Sequence, residues 1–325
     1  MAGLWYLAVP GVLTPEERLF WERVRAAQQH LSQWRKHDSA AESLESDPWN
    51  CGLIGLEWSG ITTTLGDLSS KRTACNPAWA IQFSRWFREQ GLKPGDHIAI
   101  YSSGSFPGLL LSAVAAAEAM ELKPLLIVSL GASTWGANHP DYPWPVLAAE
   151  LRRSGFIRTR ADYYTLGGGA EMGQGLAPEG EALLRKAAKE AGVELLEAGK
   201  LEEMTALKTK LLEKHRPRLF VNIGGSHANL GDAHEVLKLH TGLVPVTDID
   251  LAGNGIIGVA MRGNIPVIHM LNVKSISNLV GIPYDSAPRK MAPTRVSKWW
   301  SFTGVILFLT VVLRHRRWRL EPAEV

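Results

Sequence analysis

Apolar and polar positions follow one another along this chain in an order that predicts the fold. From about residue 52 to residue 288, short runs of β-branched residues alternate with amphipathic stretches of helical spacing. Residues 97–101 and 125–129 are predicted strands, and residues 107–120 form a predicted helix between them. This alternation is typical of βαβ units. The sequence therefore predicts an α/β domain with a mostly parallel, doubly wound (Rossmann-like) sheet.

The second half of the domain continues this pattern. Residues 163–166 and 218–223 are predicted strands, and residues 201–215 are a predicted helix. Residues 256–260 and 265–270 flank a glycine-containing turn, which is typical of a β-hairpin. We therefore expect an antiparallel hairpin addition to the parallel sheet.

The N-terminal segment, residues 1–48, differs from the α/β domain of residues 49–288. It begins with an uncharged apolar stretch up to Leu13. This stretch is the remainder of a longer anchor, a frayed N-terminus or a hydrophobic arm packed on the domain. A helix is predicted over residues 14–35, with Thr14 as its cap and Pro15 at its first position. A polar linker follows.

The C-terminal segment, residues 289–325, contains fifteen uncharged residues between Lys298 and Arg314, flanked by tryptophans and basic residues. A full membrane span needs about 20 apolar residues, so this run is short unless the flanking cations reach the interface. The alternative is a buried core helix. We expect a C-terminal hydrophobic helix that forms a single-pass cell-membrane anchor. The denser basic cluster after Leu313 favours a cytoplasmic C-terminus and an extracytoplasmic domain.

Charge and cysteine content narrow the classes of partner. The net charge is +3, but the segment from Arg289 onward holds eight basic and two acidic residues, which leaves 27 basic and 30 acidic residues in the rest. A nucleic-acid-binding domain would carry its basic excess itself, so nucleic acid is not an expected partner. Cys51 and Cys75 lack metal-ligand spacing; they are either two buried thiols or a pair in an oxidising compartment.

Four turns rich in small residues follow four of the predicted strands, around residues 102–105, 131–133, 167–169 and 224–227. In an open α/β sheet, the carboxyl ends of the strands border the ligand site. Glycine lets a ligand approach the backbone, and helix N-termini favour anions. We therefore expect a site for a carboxylate or phosphate ligand. The dinucleotide and P-loop glycine patterns are absent from these turns, and no cofactor or metal is identified.

Residues 61–73 collect hydroxyls, one carboxylate and two cations. Lys71 and Arg72 are predicted to clamp an anionic substrate, while Asp67 handles a proton or a cation. The alternative is a solvated loop with a capping aspartate.

Ser105 is a candidate nucleophile, although the surrounding residues do not form a GxSxG elbow. His227 or His269 would be its base, and Asp248 or Asp250 would orient that base. A helix cap is the simpler interpretation of Ser105, and turn or core positions are the simpler interpretation of the histidines.

The predicted site consists of a catalytic group and a substrate-binding group. The catalytic candidates are Ser105, Asp67 and His227. The substrate-binding candidates are Lys71, Arg72, Thr73, Ser103, Gly104, Ser133, Trp135, Asn138, Gly224, Gly225 and Ser226.

Several of these segments together resemble a known family. They are Ile61-Thr-Thr-Thr-Leu-Gly-Asp67 with Lys71-Arg-Thr73 and Asn76-Pro77, Ser103-Gly-Ser-Phe-Pro107, and Ser129-Leu-Gly-Ala-Ser133 with Trp135-Gly-Ala-Asn138. Across about residues 53–283, the chain is similar to the poly-γ-glutamate system protein family of bacteria. Members of that family carry a hydrophobic N-terminal segment ahead of the domain, and here only a short uncharged one is present.

The resemblance implies a membrane-anchored component of poly-γ-glutamate synthesis or export. Its partners would be poly-γ-glutamate or a γ-glutamyl chain, the membrane and other subunits of polymer synthesis. The family name does not establish whether such a protein is an enzyme. The alternative is a soluble α/β enzyme, similar to a serine hydrolase or a transferase, that acts on a small carboxylate or phosphate metabolite.

Overall fold

The computed structural model of the chain describes residues 13–35, 45–291 and 298–318. The predicted apolar start, apart from Leu13, and most of the predicted polar linker lie outside these residues. The strands and helices below are numbered in chain order within the described ranges.

The described strands form two sheets. In chain order they are β1 (Thr62–Thr64), β2 (His97–Ser103), β3 (Lys123–Ser129), β4 (Ala132–Ser133), β5 (Tyr163–Thr165), β6 (Glu194–Leu195), β7 (Phe220–Ile223), β8 (Gly242–Leu243) and β9 (Val267–Met270). Seven of them form the main sheet, in the spatial order β6-β5-β3-β2-β7-β9-β8. Strands β1 and β4 form a separate parallel pair.

Eleven α-helices are described. They are α1 (Pro15–Trp34), α2 (Leu68–Ala74), α3 (Ala78–Glu89), α4 (Pro107–Ala119), α5 (Trp144–Arg153), α6 (Pro178–Glu190), α7 (Leu201–His215), α8 (His227–Leu230), α9 (Ile256–Arg262), α10 (Val273–Val280) and α11 (Lys298–Trp318).

The main sheet is parallel except at one edge. Strand β2 pairs in parallel with β3 and β7, and β9 extends the parallel sheet from β7. Only β8 is antiparallel to its neighbour β9 within the described sheet. The predicted mostly parallel α/β sheet with an antiparallel addition is therefore confirmed.

The position predicted for the antiparallel addition is wrong. Residues 256–260, predicted as a strand, belong to helix α9, and the following strand β9 is parallel to β7. The antiparallel partner is β8, formed by Gly242 and Leu243. A short apolar run such as Ile-Ile-Gly-Val-Ala fits a buried helix as well as a buried strand, so periodicity alone does not separate the two.

Two hydrophobic cores lie on opposite faces of the sheet. Alternate residues of β2 divide between them: Ile98 and Ile100 contribute to one core, whereas Ala99 and Tyr101 contribute to the other. The first core also holds residues of α1, α3, α4 and α5, and the second holds residues of α7, α8 and α9. A parallel sheet covered on both faces explains why its strands are almost continuously apolar.

Helix α1 begins as the sequence predicts and packs into the first core. Thr14 and Glu17 form a capping box, in which each side chain accepts a hydrogen bond from the other residue's backbone N–H. Phe20, Val24 and Leu31 are buried against the domain. The helix therefore packs on α3, α4 and α5, the helices that contribute to the same core.

Helix α11 occupies the C-terminal segment in which we predicted a hydrophobic membrane anchor. Its residues 299–313 are uncharged, but Arg314, Arg316 and Arg317 lie in the same helix. Among the described helices, none combines the length and the apolar character that a membrane crossing requires. The prediction of a membrane-spanning helix here is therefore corrected.

Helices α2 and α4 meet at a glycine. A Cβ added to Gly108 would lie 2.6 Å from the carbonyl oxygen of Ala74 and 2.8 Å from Cα of Cys75. These neighbours are backbone atoms, which cannot change rotamer to make room as a side chain can. Only glycine at position 108 therefore permits this distance between the two helices. Gly108 thus sets the distance between the loop before α4 and the helix that carries Lys71.

We expect Gly108→Ala to destabilise the protein by about 1–3 kcal/mol, since the added methyl group forces the two helices apart. Alanine normally stabilises a helix interior relative to glycine by up to about 1 kcal/mol, so the sign of the change is informative. Urea unfolding measures it. Ser112→Ala, on the same helix and with no hydrogen bond to lose, is the control and should be close to neutral. Equal or greater stability of Gly108→Ala would contradict the close approach.

Candidate functional site

The four predicted turns converge at the carboxyl end of the parallel strands. They border a single cavity of about 550 Å³, which the β1–α2 segment closes on one side. Its lining residues are Thr63, Thr64, Leu65, Gly66, Asp67, Ser70, Lys71, Ser103, Ser105, Phe106, Ser129, Gly131, Ser133, Gly167, Gly168, Gly169, Glu171, Gly225, Ser226, His227 and Leu271. Strand ends that lie side by side in the sheet bring turns distant in sequence to the same edge.

Eight of the fourteen predicted site residues line this cavity. They are Ser105, Asp67, His227, Lys71, Ser103, Ser133, Gly225 and Ser226. The other six are Arg72, Thr73, Gly104, Trp135, Asn138 and Gly224, and they lie behind or beside the lining.

The predicted clamp formed by Lys71 and Arg72 is not present. The Arg72 guanidinium donates to the carbonyl oxygens of Glu45 and Ser46, at 2.6 and 2.9 Å, and lies 3.8 Å from an oxygen of Asp285. Adjacent residues on a helix project about 100° apart, so Lys71 and Arg72 cannot share one face. Thr73 also turns away, because its hydroxyl donates to the Ser69 carbonyl.

Asn138 and Trp135 shape the loops around the cavity without lining it. The fully buried Asn138 side chain accepts from the Leu56 N–H and donates to the Leu56 carbonyl and to Thr62 Oγ1. Trp135 has a positive φ of 63° and donates its backbone N–H to the Leu56 carbonyl. These contacts hold the segment before β1 against the loop after β4.

Gly104 and Gly224 are close-packed positions of the backbone. Gly104 donates to the carbonyl of Ser129 and accepts from Ala137. Gly224 has a φ of 84°, and a Cβ there would lie 3.0 Å from Cβ of Ser103. Both glycines bring neighbouring turns together, so they contribute to the site through the backbone.

Ser105 and His227 line the same cavity but have separate partners. Ser105 Oγ accepts the backbone N–H of Ser133 at 2.9 Å. His227 Nδ1 accepts the backbone N–H of Ala170 at 3.1 Å. When Nδ1 accepts a hydrogen bond, the proton of the neutral imidazole is on Nε2. Nε2 is then a donor and has no lone pair with which to take up a further proton. This arrangement does not favour His227 as the base for Ser105.

The other candidate partners of Ser105 are held elsewhere. His269 is buried beside Asn222, and burial lowers its pKa to about 4. Asp248 lies in the 3-10 helix Val246–Leu251. Its carboxylate accepts hydrogen bonds from the backbone N–H and from Nδ1 of His240. Neither His269 nor Asp248 is part of the described cavity lining.

Asp67 is both a helix cap and a cavity residue. Its carboxylate accepts the backbone N–H of Ser70 at 2.7 Å, as the N-cap of α2, and the hydroxyl of Tyr284 at 2.6 Å. Burial acts to raise the pKa of Asp67, but the hydrogen bonds from Tyr284 and Ser70 outweigh it and lower the pKa below its usual value. Asp67 is therefore ionised near neutral pH, so it accepts rather than donates.

Lys71 is a buried amine, and no carboxylate of the described residues is in contact with it. It is 3% exposed, and its Nζ lies 2.6 Å from the Ser105 carbonyl oxygen and 2.6 Å from Ser133 Oγ. The Phe106 ring centroid is 3.9 Å from the same nitrogen. Because burial disfavours the ammonium form, the pKa of Lys71 falls to about 7. The amine form is therefore substantially populated at neutral pH.

Glu171 and Lys208 form a buried ion pair at the cavity floor that the sequence analysis missed. Each side chain is 1% exposed, and Lys208 Nζ donates to both carboxylate oxygens, at 2.7 and 2.6 Å. Burial acts to raise the pKa of Glu171, but the adjacent Lys208 ammonium outweighs it and lowers the pKa below its usual value. Glu171 is therefore a carboxylate, and Lys208 compensates its charge.

The same carboxylate joins three strand ends. Glu171 accepts hydrogen bonds from Ser129 at the end of β3, from Thr165 at the end of β5 and from Ser226 after β7. Lys208 Nζ also lies 3.1 Å from Asn229 Oδ1 on α8. The buried polar groups around Glu171 and Lys208 thus have hydrogen-bond partners, as buried polar groups require.

The sequence contains a signal for Glu171 but none for Lys208. Glu171 follows Gly167-Gly168-Gly169, and both Ala170 and Glu171 adopt positive φ angles, 53° and 62°. A charged residue at the end of a glycine-rich turn that follows a strand is a candidate site residue. Its partner Lys208, in contrast, lies within α7, whose sequence is that of an ordinary amphipathic helix. The sequence therefore gives no signal for Lys208.

Comparisons of the chain with family models, with curated proteins and with solved structures found no match.

We expect Glu171→Gln or Lys208→Met alone to lower the free energy of unfolding by about 3–5 kcal/mol, because each leaves an uncompensated buried charge. The double variant should recover much of that loss, since both charges are then absent. Urea unfolding of the wild type, the two single variants and the double variant measures the coupling. Additive losses in the double variant would contradict a direct pair.

Burial of Lys71 makes the stability of the protein depend on pH. Lys71 has a pKa of about 7 in the folded protein, whereas the ordinary pKa of a solvated lysine is 10.5. Between these pH values the unfolded chain therefore binds more protons. The stability of the wild type should therefore rise with pH across this window. Lys71→Met lacks this contribution. Relative to Lys71→Met, we expect the wild type to gain about 1–3 kcal/mol between pH 6.5 and 9.5, measured by urea unfolding. A constant difference would contradict a buried amine.

Proposed function

We propose that the cavity binds a γ-glutamyl chain and that the protein belongs to the machinery of poly-γ-glutamate synthesis or export. One observation carries this proposal. Three segments that resemble the poly-γ-glutamate system protein family lie apart in sequence, and each supplies residues to the same cavity. These segments contain Asp67, Ser105 and Ser133, respectively.

The chemistry of the lining supports a carboxylate-bearing ligand. Lys71 is the one lysine or arginine among the described lining residues, and no carboxylate contacts it. Serine and threonine hydroxyls and glycines of three strand-end turns line the same cavity, so hydroxyl and backbone N–H groups border it. Glu171 does not oppose an anion strongly, because Lys208 compensates its charge.

The size of the cavity supports a second candidate. A volume of about 550 Å³ lies within the range of small-molecule sites. It accommodates a small carboxylate or phosphate metabolite, or one or two units of a polymer. An enzyme acting on such a metabolite is therefore the alternative that the experiment must separate.

Binding of poly-γ-glutamate of defined length, measured by isothermal titration calorimetry, tests the proposal. We expect poly-γ-glutamate to bind more tightly than poly-α-glutamate of equal length, because the two have equal charge and differ in backbone spacing. Lys71→Met should weaken binding by about tenfold or more, as expected for loss of a charge-assisted hydrogen bond. Lys189→Met, an exposed lysine on α6, is the matched control and should leave the affinity unchanged.

Two results would contradict the proposal. Equal affinity for the α- and γ-linked polymers would indicate unspecific polyanion binding. Binding of inorganic phosphate or a free dicarboxylate, without binding of the γ-linked polymer, would favour the small-metabolite alternative.

A further inference from the structure

In the described cavity lining, the Ser133 hydroxyl contacts a lysine amine that none of the described carboxylates contacts. Ser133 Oγ lies 2.6 Å from Lys71 Nζ, and both side chains are buried in the cavity wall. The two residues are 62 positions apart in sequence and are brought together because β4 pairs with β1, just ahead of α2. This distance is within the range for direct proton transfer between a nucleophile and its base.

We propose that Ser133 and Lys71 form a serine–lysine dyad that cleaves a carbonyl–nitrogen bond by acyl transfer, with Ser133 Oγ as nucleophile and Lys71 Nζ as general base.

The contacts of Lys71 suit the neutral amine that a base requires. A neutral amine has two N–H groups and one lone pair. One N–H donates to the Ser105 carbonyl oxygen. Ser133 Oγ lies 2.6 Å from the same nitrogen, so in the amine form the lone pair is placed to accept the proton of the serine hydroxyl. Burial without an anionic contact supplies this amine form near neutral pH, since it brings the pKa of Lys71 to about 7.

The surroundings also stabilise the charge that forms during the reaction. Once Lys71 takes up the proton of Ser133, its ammonium lies 3.9 Å from the centroid of the Phe106 ring. The face of an aromatic ring attracts a cation, and more strongly where water is excluded. Phe106 and the Ser105 carbonyl therefore act as positioning groups for the base.

Three further serines of the described cavity lining, Ser226, Ser129 and Ser105, have different partners. Ser226 Oγ lies 3.4 Å from Lys208 Nζ, but Glu171 holds that lysine in an ion pair. Ser129 donates to the same carboxylate. Ser105 Oγ accepts the backbone N–H of Ser133 and so positions the nucleophile.

The reaction balances without a metal or a redox partner. Ser133 Oγ forms a bond to the carbonyl carbon of an amide while its proton passes to Lys71 Nζ. The carbon–nitrogen bond then breaks, and Lys71 returns the proton to the leaving nitrogen, which departs as an amine. Water attacks the resulting Ser133 ester and gives a proton to Lys71, which passes it to Ser133 Oγ as the ester bond breaks. The products are a carboxylic acid and an amine.

The substrate class rests on the proposed function. If the cavity binds a γ-glutamyl chain, the amide that reaches Ser133 is a γ-glutamyl bond, and the dyad trims or releases the chain. An amine in place of water would accept the γ-glutamyl group and give transfer instead of hydrolysis.

Labelling of the intact protein with an alkyl fluorophosphonate tests the dyad. We expect one adduct per chain, located at Ser133 by peptide mass spectrometry. Ser133→Ala should abolish the adduct, and Lys71→Met should slow its formation by about 100-fold or more, as expected for loss of a general base. Ser112→Ala is the matched serine control and should be labelled like the wild type. An adduct at Ser105, or no adduct at any cavity serine, would overturn the proposal.

The pH profile of labelling identifies the base. The labelling rate should rise with pH with a midpoint near 7, because only the amine form of Lys71 accepts a proton. Asp67 and Cys75 lie near Lys71, and Glu171 and His227 are further titratable groups of the cavity wall. A midpoint that is retained in His227→Asn supports Lys71 as the base. A midpoint that disappears in that variant overturns the assignment.

Two controls separate this inference from others. If Lys71→Met does not fold, as judged by circular dichroism, the Ser133→Ala variant and the wild-type pH profile still decide the result. Poly-γ-glutamate binding without a Ser133 adduct overturns the dyad and leaves the proposed function standing. A Ser133 adduct in a protein that does not bind the polymer supports the dyad and overturns the γ-glutamyl substrate.

Discussion

The buried ion pair between Glu171 and Lys208 is the interaction on which the site depends. Two charges removed from water are tolerated only when each is paired and hydrogen-bonded. Here the carboxylate reaches its partners at the ends of three strands, β3, β5 and β7. The turns after those strands are therefore held together by hydrogen bonds to one carboxylate. These hydrogen bonds fix the shape of the cavity that the turns line.

Lys71 is buried without the ion pair that Lys208 has. This difference between the two lysines explains the chemistry of the cavity. Both lysines are buried, but Lys208 has a carboxylate in contact and Lys71 has only a carbonyl, a hydroxyl and an aromatic ring. The first lysine is held as a structural cation. The second is held near the balance between ammonium and amine, which is useful both for binding an anion and for taking up a proton. The same fold thus gives two lysines different roles through their immediate contacts.

Close backbone packing maintains this difference. Helix α2 carries Lys71, and it approaches α4 so closely that Gly108 allows no side chain. The loop between β2 and α4 supplies the Ser105 carbonyl and the Phe106 ring to Lys71. Interiors packed at this density transmit small displacements, so the environment of the amine depends on residues outside the cavity.

The sequence by itself determined the α/β class, most strand and helix positions and the location of the four turns, because these follow from local periodicity and turn chemistry. It did not determine that residues 256–260 form a helix, since a short buried run satisfies either period. It also did not reveal that Glu171 pairs with Lys208 or that Ser133 contacts Lys71. Those contacts join segments distant along the chain, and only the order of the strands in the sheet and the packing of the helices decided them.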